Sequence, residues 1–277
     1  MADAFDRTRF TTRLRTHRLG RALRVLERTT STNDDAWDAL AALGDGAAVV
    51  ALEQTAGRGR AGRAWTQVPG RGLALSVALR LDGDVRPVGV LPLAAGLAVV
   101  RTAHALGVHS ARLKWPNDVL VGGRKLAGVL CELRAIRPPA DSPTQAGPGQ
   151  AVVIGVGLNV RQRRDEFPAE LRDTATSLAL EGSAAGLEDA AAEFLTRLES
   201  LWNELRSGGR SALLAEWSRW CGQWGQWLVV RTPSGPVEGT AQRLDPDGGL
   251  VLRTSTGVET TVLAGDVIPS TEGCDAV

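Results

Sequence analysis

A chain of 277 residues has room for one large domain and a small one, and its 43% hydrophobic and 23% charged content is ordinary globular usage. That excludes a disordered chain, a collagen-like repeat and a coiled coil. Thirty-two basic residues against 31 acidic ones leave a net charge of +1, so no global field favours nucleic acid or a membrane.

The charge is uneven along the chain. Residues 1–28 carry eight Arg against Asp3, Asp6 and Glu27, so residues 1–23 read as an Arg-rich leader, a solvated tail with at most a short helix. No signal-peptide pattern is present, and the most apolar stretch, 88–108, is interrupted by Pro92, Arg101 and His104. Cys131, Cys221 and Cys274 form no CxxC pair, which points to a reducing compartment. A cytoplasmic protein without a membrane partner is expected.

In chain order, a strand is predicted at 23–26, then a helix over 34–43 that puts Ala36, Trp37, Leu40 and Leu43 on one face, capped by Thr32 or Asn33. Strands follow at 47–52 and 72–81, and an Ala- and Leu-rich helix at 91–106 with Pro92 in its first turn. Further strands are expected at 111–115, 119–121 and 126–133, with Gly122 and Gly123 turning the chain between the last two. Residues 137–150, rich in Pro, Gly and Ser, read as a mobile loop. An apolar strand at 152–156 runs into Gly157-Leu158-Asn159, and 187–220 is one long helical stretch, with a kink allowed. From Trp227 the pattern changes to short strands at 228–231, 237–243, 249–253, 258–263 and 267–268. Trp217, Trp220, Trp224 and Trp227, spaced 3-4-3, are expected to be core at the junction rather than a stacking platform for bases.

The polar composition carries a second signal. Thirty of the 32 basic residues are Arg, and the only lysines are Lys114 and Lys125; Asn occurs only at 33, 117, 159 and 203. Arg is a planar fork and Lys a compact point charge, so the few lysines mark positions where Arg would not serve. The segment Gly57-Arg58-Gly59-Arg60-Ala61-Gly62 matches GxGxxG in form. It is followed by Arg63, Trp65, Gln67 and Pro69 instead of an apolar helix, so a dinucleotide fold is not supported. Arginines interleaved with glycines describe a cationic loop able to enclose an anion. Lys114-Trp115-Pro116-Asn117-Asp118 gathers scarce Lys and Asn beside an acid at a strand end. No P-loop, metal-ligand spacing or Ser-His-acid order appears, so the chemistry expected is anion binding and charge neutralisation, with no protein-bound metal.

At these residues the chain resembles the biotin protein ligases. Ser31-Thr32-Asn33, Gln54 with the loop 57–65, Lys114–Asp118 with Lys125-Leu126-Ala127-Gly128, and 155–159 match in order, and the resemblance spans about 23–268. It implies an α+β fold, a class II synthetase-like catalytic domain with a mixed sheet (24–224) followed by an SH3-like barrel (225–270) and a tail (271–277). It also implies a two-step reaction: biotin and ATP-Mg²⁺ give biotinyl-5′-AMP, and a lysine of a biotin carboxyl carrier domain of a biotin-dependent carboxylase then takes the biotinyl group. On this resemblance Ser31, Thr32, Asn33, Gln54, Arg58, Gly59, Arg60 and Lys114 contact biotin. Arg60, Arg63, Trp65, Asn117 and Asn159 serve ATP or the adenylate. Lys114, with Arg58, Asp118 and Lys125 assisting, supplies the cation that offsets repulsion between carboxylate and α-phosphate. Only about 23 residues precede the first catalytic strand, so a monofunctional ligase without specific DNA binding is expected, as a monomer or weak homodimer.

Rival readings are a lipoate or octanoate ligase or transferase of the same fold, a non-enzymatic Arg-rich nucleic-acid-binding protein, and a non-catalytic ligand-binding homologue. The first carries a different arginine-glycine motif with a His-Asp-like pair, absent here. The second predicts binding that falls steeply with salt.

Overall fold

The computed structural model describes residues 5–81, 89–136 and 149–268. Seven strands form one mixed sheet: β1 (Leu23–Thr29), β2 (Ala48–Gln54), β3 (Gly72–Leu81), β4 (Arg112–Lys114), β5 (Asp118–Val121), β6 (Arg124–Ile136) and β7 (Gly149–Asn159), in the order β1-β2-β3-β7-β6-β5-β4. Only β1 and β2 run parallel; every other neighbouring pair is antiparallel.

Strand periodicity sends alternate residues to opposite faces, and the two faces are covered unequally. Ile154, Val156 and Leu158 of β7 enter the main core, which they share with helices α3 (Val90–Ala105), α4 (Leu187–Arg206) and α5 (Arg210–Trp220). On the other face, Ala151 and Val153 meet Ala36, Trp37, Ala39 and Leu40 of α2 (Thr32–Leu43). A 12-residue helix is only about 18 Å long. The second face of β7 continues past it as Gly155, Gly157 and Asn159, and this uncovered part is where the candidate site lies.

Several elements depart from expectation. The 1–23 leader is not a solvated tail over its described part: α1 (Arg7–Arg13) is capped by Asp6, whose Oδ1 accepts from Arg9 N at 2.9 Å. Phe10, Leu14 and Leu19 are buried, and Glu199 of α4 accepts the backbone N–H groups of His17, Arg18 and Leu19. A few apolar residues spaced for one face suffice to dock the segment, whatever the arginines between them do. The expected helix over 187–220 is two helices, broken at Ser207-Gly208-Gly209, where Gly208 has φ +83°. Of the expected loop 137–150, residues 137–148 lie outside the described residues, while Gly149 and Gln150 already belong to β7. The 271–277 tail also lies outside them.

The last five strands, β8 (Trp227–Thr232), β9 (Gly235–Leu244), β10 (Leu250–Arg253), β11 (Glu259–Val262) and β12 (Asp266–Ile268), form an antiparallel sheet in the order β11-β10-β9-β8-β12. Among the described residues its edge strands β11 and β12 do not pair, so no closed barrel is formed. Trp115 binds this unit to the main sheet: its Nε1 donates to Gly248 O at 3.1 Å, and its backbone N–H donates to Gln223 Oε1 at 2.6 Å. The tryptophan run grades outward from the fully buried Trp217 through Trp220 and Trp224 to Trp227, which is 38% exposed. No helix among the described residues is long and apolar enough to cross a membrane.

Candidate functional site

An open cleft of about 690 Å³, counting its mouth, lies on the uncovered face of β7. Its floor is made of residues too small to rise from the sheet. Ala74, Gly157 and Gly128 are register partners across β3, β7 and β6, and Gly155 lies between Ser76 and Leu130 in the next row. The missing side chains are needed. A Cβ on Gly157 would lie 2.2 Å from Trp65 Cε2, and one on Gly155 would lie 2.1 Å from Asn33 Oδ1.

One wall is neutral and hydrogen-bonding. Ser31 stands at the N-cap of α2, yet its hydroxyl makes no capping bond. Thr32 donates its backbone N–H to Gln54 Oε1 at 2.8 Å, which leaves the Gln54 amide nitrogen for a ligand. The hydroxyl of Ser76 bonds Asn33 Oδ1 at 2.6 Å, and Asn33 Nδ2 donates to Glu132 Oε2 at 2.9 Å.

The opposite wall is cationic and comes from the loop after β2. The glycine-arginine segment closes into a small hairpin, with Trp65 N donating to Gly57 O at 2.8 Å and Gly59 N donating to Arg63 O at 2.7 Å. Gly57 has no room for a side chain, since a Cβ would lie 2.5 Å from Trp65 O. The three arginines have different surroundings. Arg58 forms a fork on Asp34, at 2.7 and 2.8 Å, and reaches Glu132 at 3.3 Å; these carboxylates raise its pKa. Arg63 pairs with Asp266 of β12 at 2.7 Å. Arg60 is poorly paired, with Asn117 Oδ1 at 3.3 Å and Asp266 at 3.9 Å, and burial lowers its pKa. A partly desolvated cation without a close carboxylate is one that an incoming anion would stabilise.

Lys125 and Asp118 complete the cleft, Nζ to Oδ1 2.6 Å, with Nζ also 5.8 Å from the centre of the Trp65 ring. Strict alternation along β6 would turn Lys125 to the core side with Ala127 and Val129. A register shift opposite Val119 and Leu120 inserts an extra residue, so Leu126 and Ala127 both enter the core and Lys125 joins the cleft. Lys114 is placed differently. It stands opposite Asp118 on β4, the edge strand, beside the cleft and within electrostatic reach of Asp118, Lys125, Arg63 and Asp266; burial lowers its pKa against the raising effect of Asp118.

The structure therefore brings Ser31, Thr32, Asn33, Gln54, Arg58, Gly59, Arg60, Arg63, Trp65, Asn117, Asp118 and Lys125 around one cleft, and leaves Lys114 and Asn159 outside its lining. Asn159 has both ends of its amide engaged: Nδ2 donates to Thr176 O at 2.9 Å and Oδ1 accepts from Gln162 at 3.0 Å. Asn117 likewise donates to Val129 O at 2.7 Å while holding Arg60. Sequence reasoning missed Ser76, Glu132 and Asp266. The first two could have been noticed as lone polar residues in otherwise apolar strands. Burial pushes the thiols of Cys131 and Cys221 up to about 12, which disqualifies both as nucleophiles at neutral pH. Among the described residues no group of three or more His, Cys, Asp or Glu side chains could hold a metal ion.

Residues 25–159 match the model of the biotin/lipoate A/B protein ligase family, and residues 228–268 that of the biotin protein ligase C terminal domain. The biotin--[acetyl-CoA-carboxylase] ligase of Mycobacterium tuberculosis is 40% identical over 257 residues, covering 90% of this chain and 89% of that protein. The bifunctional ligase/repressor BirA of Bacillus spizizenii is 34% identical over 78% of this chain, which spans only 64% of that protein's length. Among solved structures, the biotin protein ligase from Aquifex aeolicus in complex with biotin and ATP superposes with a TM-score of 0.73 at 26% identity, covering 90% of this chain and 98% of that one.

Proposed function

The chain belongs to the biotin/lipoate A/B protein ligase family, and on that premise we propose that it activates biotin with ATP and transfers it to a lysine of a biotin carboxyl carrier domain. One observation carries this reading: a single cleft joins a neutral hydrogen-bonding wall at Ser31, Thr32 and Gln54 to two cations, the poorly paired Arg60 and Lys125 held by Asp118, over a glycine floor beneath Trp65. The neutral wall suits a cyclic urea, and the floor suits a flat base.

In the first step a biotin carboxylate oxygen attacks the α-phosphorus, and the bond to the β-phosphate oxygen breaks, releasing pyrophosphate. Two anions must approach each other, so a fixed cation has to offset their repulsion and the charge of the transition state. Lys125, held in the cleft wall by Asp118, and Lys114, half-buried beside the same carboxylate, are the cations placed for this role. Arg60 has the reach and the deficit of counter-charge to bind the α-phosphate, and its hairpin covers the product from water, to which an acyl-adenylate is labile. In the second step the acceptor lysine's neutral amine attacks the biotinyl carbonyl and AMP leaves with the bonding pair. Mg²⁺ would enter on the ATP phosphates, needing few protein ligands; Asp118, the carboxylate of the cleft lining, is already paired with Lys125.

ATP–pyrophosphate exchange with biotin, lipoate, octanoate or no acid tests the reading. Exchange that requires biotin is expected. Exchange driven by lipoate or octanoate instead would move the chain to the lipoate branch of the family, and no exchange from folded protein would leave a binding protein.

A further inference from the structure

Glu132 is not part of the cleft lining, yet it is the fixed end of the polar wall that is. We propose that Glu132 is a positioning residue that sets the direction of a hydrogen-bond relay from Thr32 through Ser76 and Asn33, so that the Thr32 hydroxyl meets the ligand only as an acceptor. The proposal rests on the biotin reading above.

The direction follows from which atoms hold protons. An ionised carboxylate can only accept, so Asn33 turns Nδ2 to Glu132 Oε2, 2.9 Å away, and Oδ1 to Ser76 Oγ, 2.6 Å away. A carbonyl oxygen has no proton either, so Ser76 directs its single one to Asn33. Thr32 Oγ1 lies 2.8 Å from Ser76 Oγ and 3.2 Å from Gln54 Oε1. Both now act as acceptors toward Thr32, so its proton points into the wall and its lone pairs face the cleft. Thr32, Asn33 and Ser76 are all buried, so no solvent is at hand to reverse the chain, and a buried network holds its polarity. A cyclic urea offers N–H groups on either side of its carbonyl. A wall acceptor rewards such an N–H and repels an oxygen in its place.

Glu132 also receives Arg58 of the hairpin at 3.3 Å, so a variant there could act through the hairpin alone. Two variants separate the cases. Glu132→Gln keeps the shape but allows the chain to reverse, because an amide can donate to Asn33. Ser76→Ala leaves Glu132 its contacts with Asn33 and Arg58 and cuts the chain in the middle.

The experiment is calorimetric binding of biotin and of the two cyclic carbamate analogues in which one or the other ring N–H is replaced by oxygen. The unaltered protein should prefer biotin over one of the two isomers by about a hundredfold or more. Glu132→Gln should narrow that preference by at least about tenfold, and Ser76→Ala should narrow it in the same sense. If Glu132→Gln does not fold, Ser76→Ala alone decides. Retention of the full preference in the folded variants, whatever their absolute affinity for biotin, would overturn the relay. Failure of the unaltered protein to bind biotin is a different result, and removes the biotin reading itself.

Discussion

Lys125 Nζ stands 2.6 Å from Asp118 Oδ1 across the β5–β6 pair, while Lys114, the other lysine of the chain, sits one strand further out at the sheet edge. The pairing restrains a long flexible side chain inside the cleft. Lys125→Ala is expected to lower biotin-dependent pyrophosphate exchange by about 10²–10³-fold, the scale of losing one stabilising contact to developing charge. Lys114→Ala, which removes the second ammonium beside Asp118, should lower it on the same scale. Exchange unchanged in either variant would remove that lysine from the adenylation step.

Arg60 reaches the cleft from the hairpin and is held there by Asn117 Oδ1 at 3.3 Å. Without it the adenylate loses a phosphate partner and part of its cover. Arg60→Gly should release biotinyl-AMP into solution and label lysines of unrelated proteins. Chasing preformed labelled adenylate with unlabelled biotin measures this directly, and a dissociation rate equal to that of the unaltered protein would refute it.

The two floor glycines support different parts of the cleft. Adding a methyl at 157 collides with Trp65, and at 155 with Asn33. Overpacking of this kind costs about 1–3 kcal/mol, which, if it falls on the bound state, is roughly five- to 150-fold in affinity. Gly157→Ala should raise the KM for ATP more than that for biotin, and Gly155→Ala the reverse. A steady-state comparison of the two variants in which both constants move together would contradict the division.

Phe10 is 2% exposed in a segment whose composition suggests a tail. Phe10→Ala should therefore destabilise the fold by about 3 kcal/mol or more, read as a lowered urea midpoint. An unchanged midpoint would mean that α1 contributes nothing to the fold.

The His104 ring packs edge-on against Trp220, with centroids 4.4 Å apart, near His109 at 5.9 Å. Arg112 lies over the same Trp220 ring at 5.4 Å. Burial first, then these two neighbours, lower its pKa from the ordinary 6.5, against a raising contact with Ala111 O. With the folded value below the unfolded one, the unfolded chain binds more protons between them. Stability is then full above about 6.5, falls as the pH drops through that window and levels off below the folded pKa. Urea midpoints at pH 8 and pH 5.5 should differ more for the unaltered protein than for His104→Gln.

Much of the site was legible because its residues are rare types in a biased composition. Three of the four asparagines lie in or beside the cleft, and each uses its amide at both ends: Asn33 between Ser76 and Glu132, Asn117 between Arg60 and Val129, Asn159 between Gln162 and Thr176. Neither Asp nor Arg can donate and accept in this way. Both lysines were visible, but a strand's facing depends on its register, and the extra residue at Leu126 leaves no mark in the residue pattern. The leader was misjudged because Phe10, Leu14 and Leu19 are few among many arginines, although burial depends on which face each occupies.

Legible in the residues alone were the order of most strands and helices, the separate β-rich C-terminal unit, the cationic glycine-arginine loop and the set of scarce polar residues around it. Those are local matters of periodicity, turn chemistry and residue type. What the residue pattern does not carry is that an extra residue in β6 turns Lys125 into the cleft, that Gln162 and Thr176 hold the Asn159 amide, and that Ser76 and Glu132 stand behind Asn33. Each of these depends on contacts between strands distant in the chain, where one residue of register carries a side chain from one face of the sheet to the other.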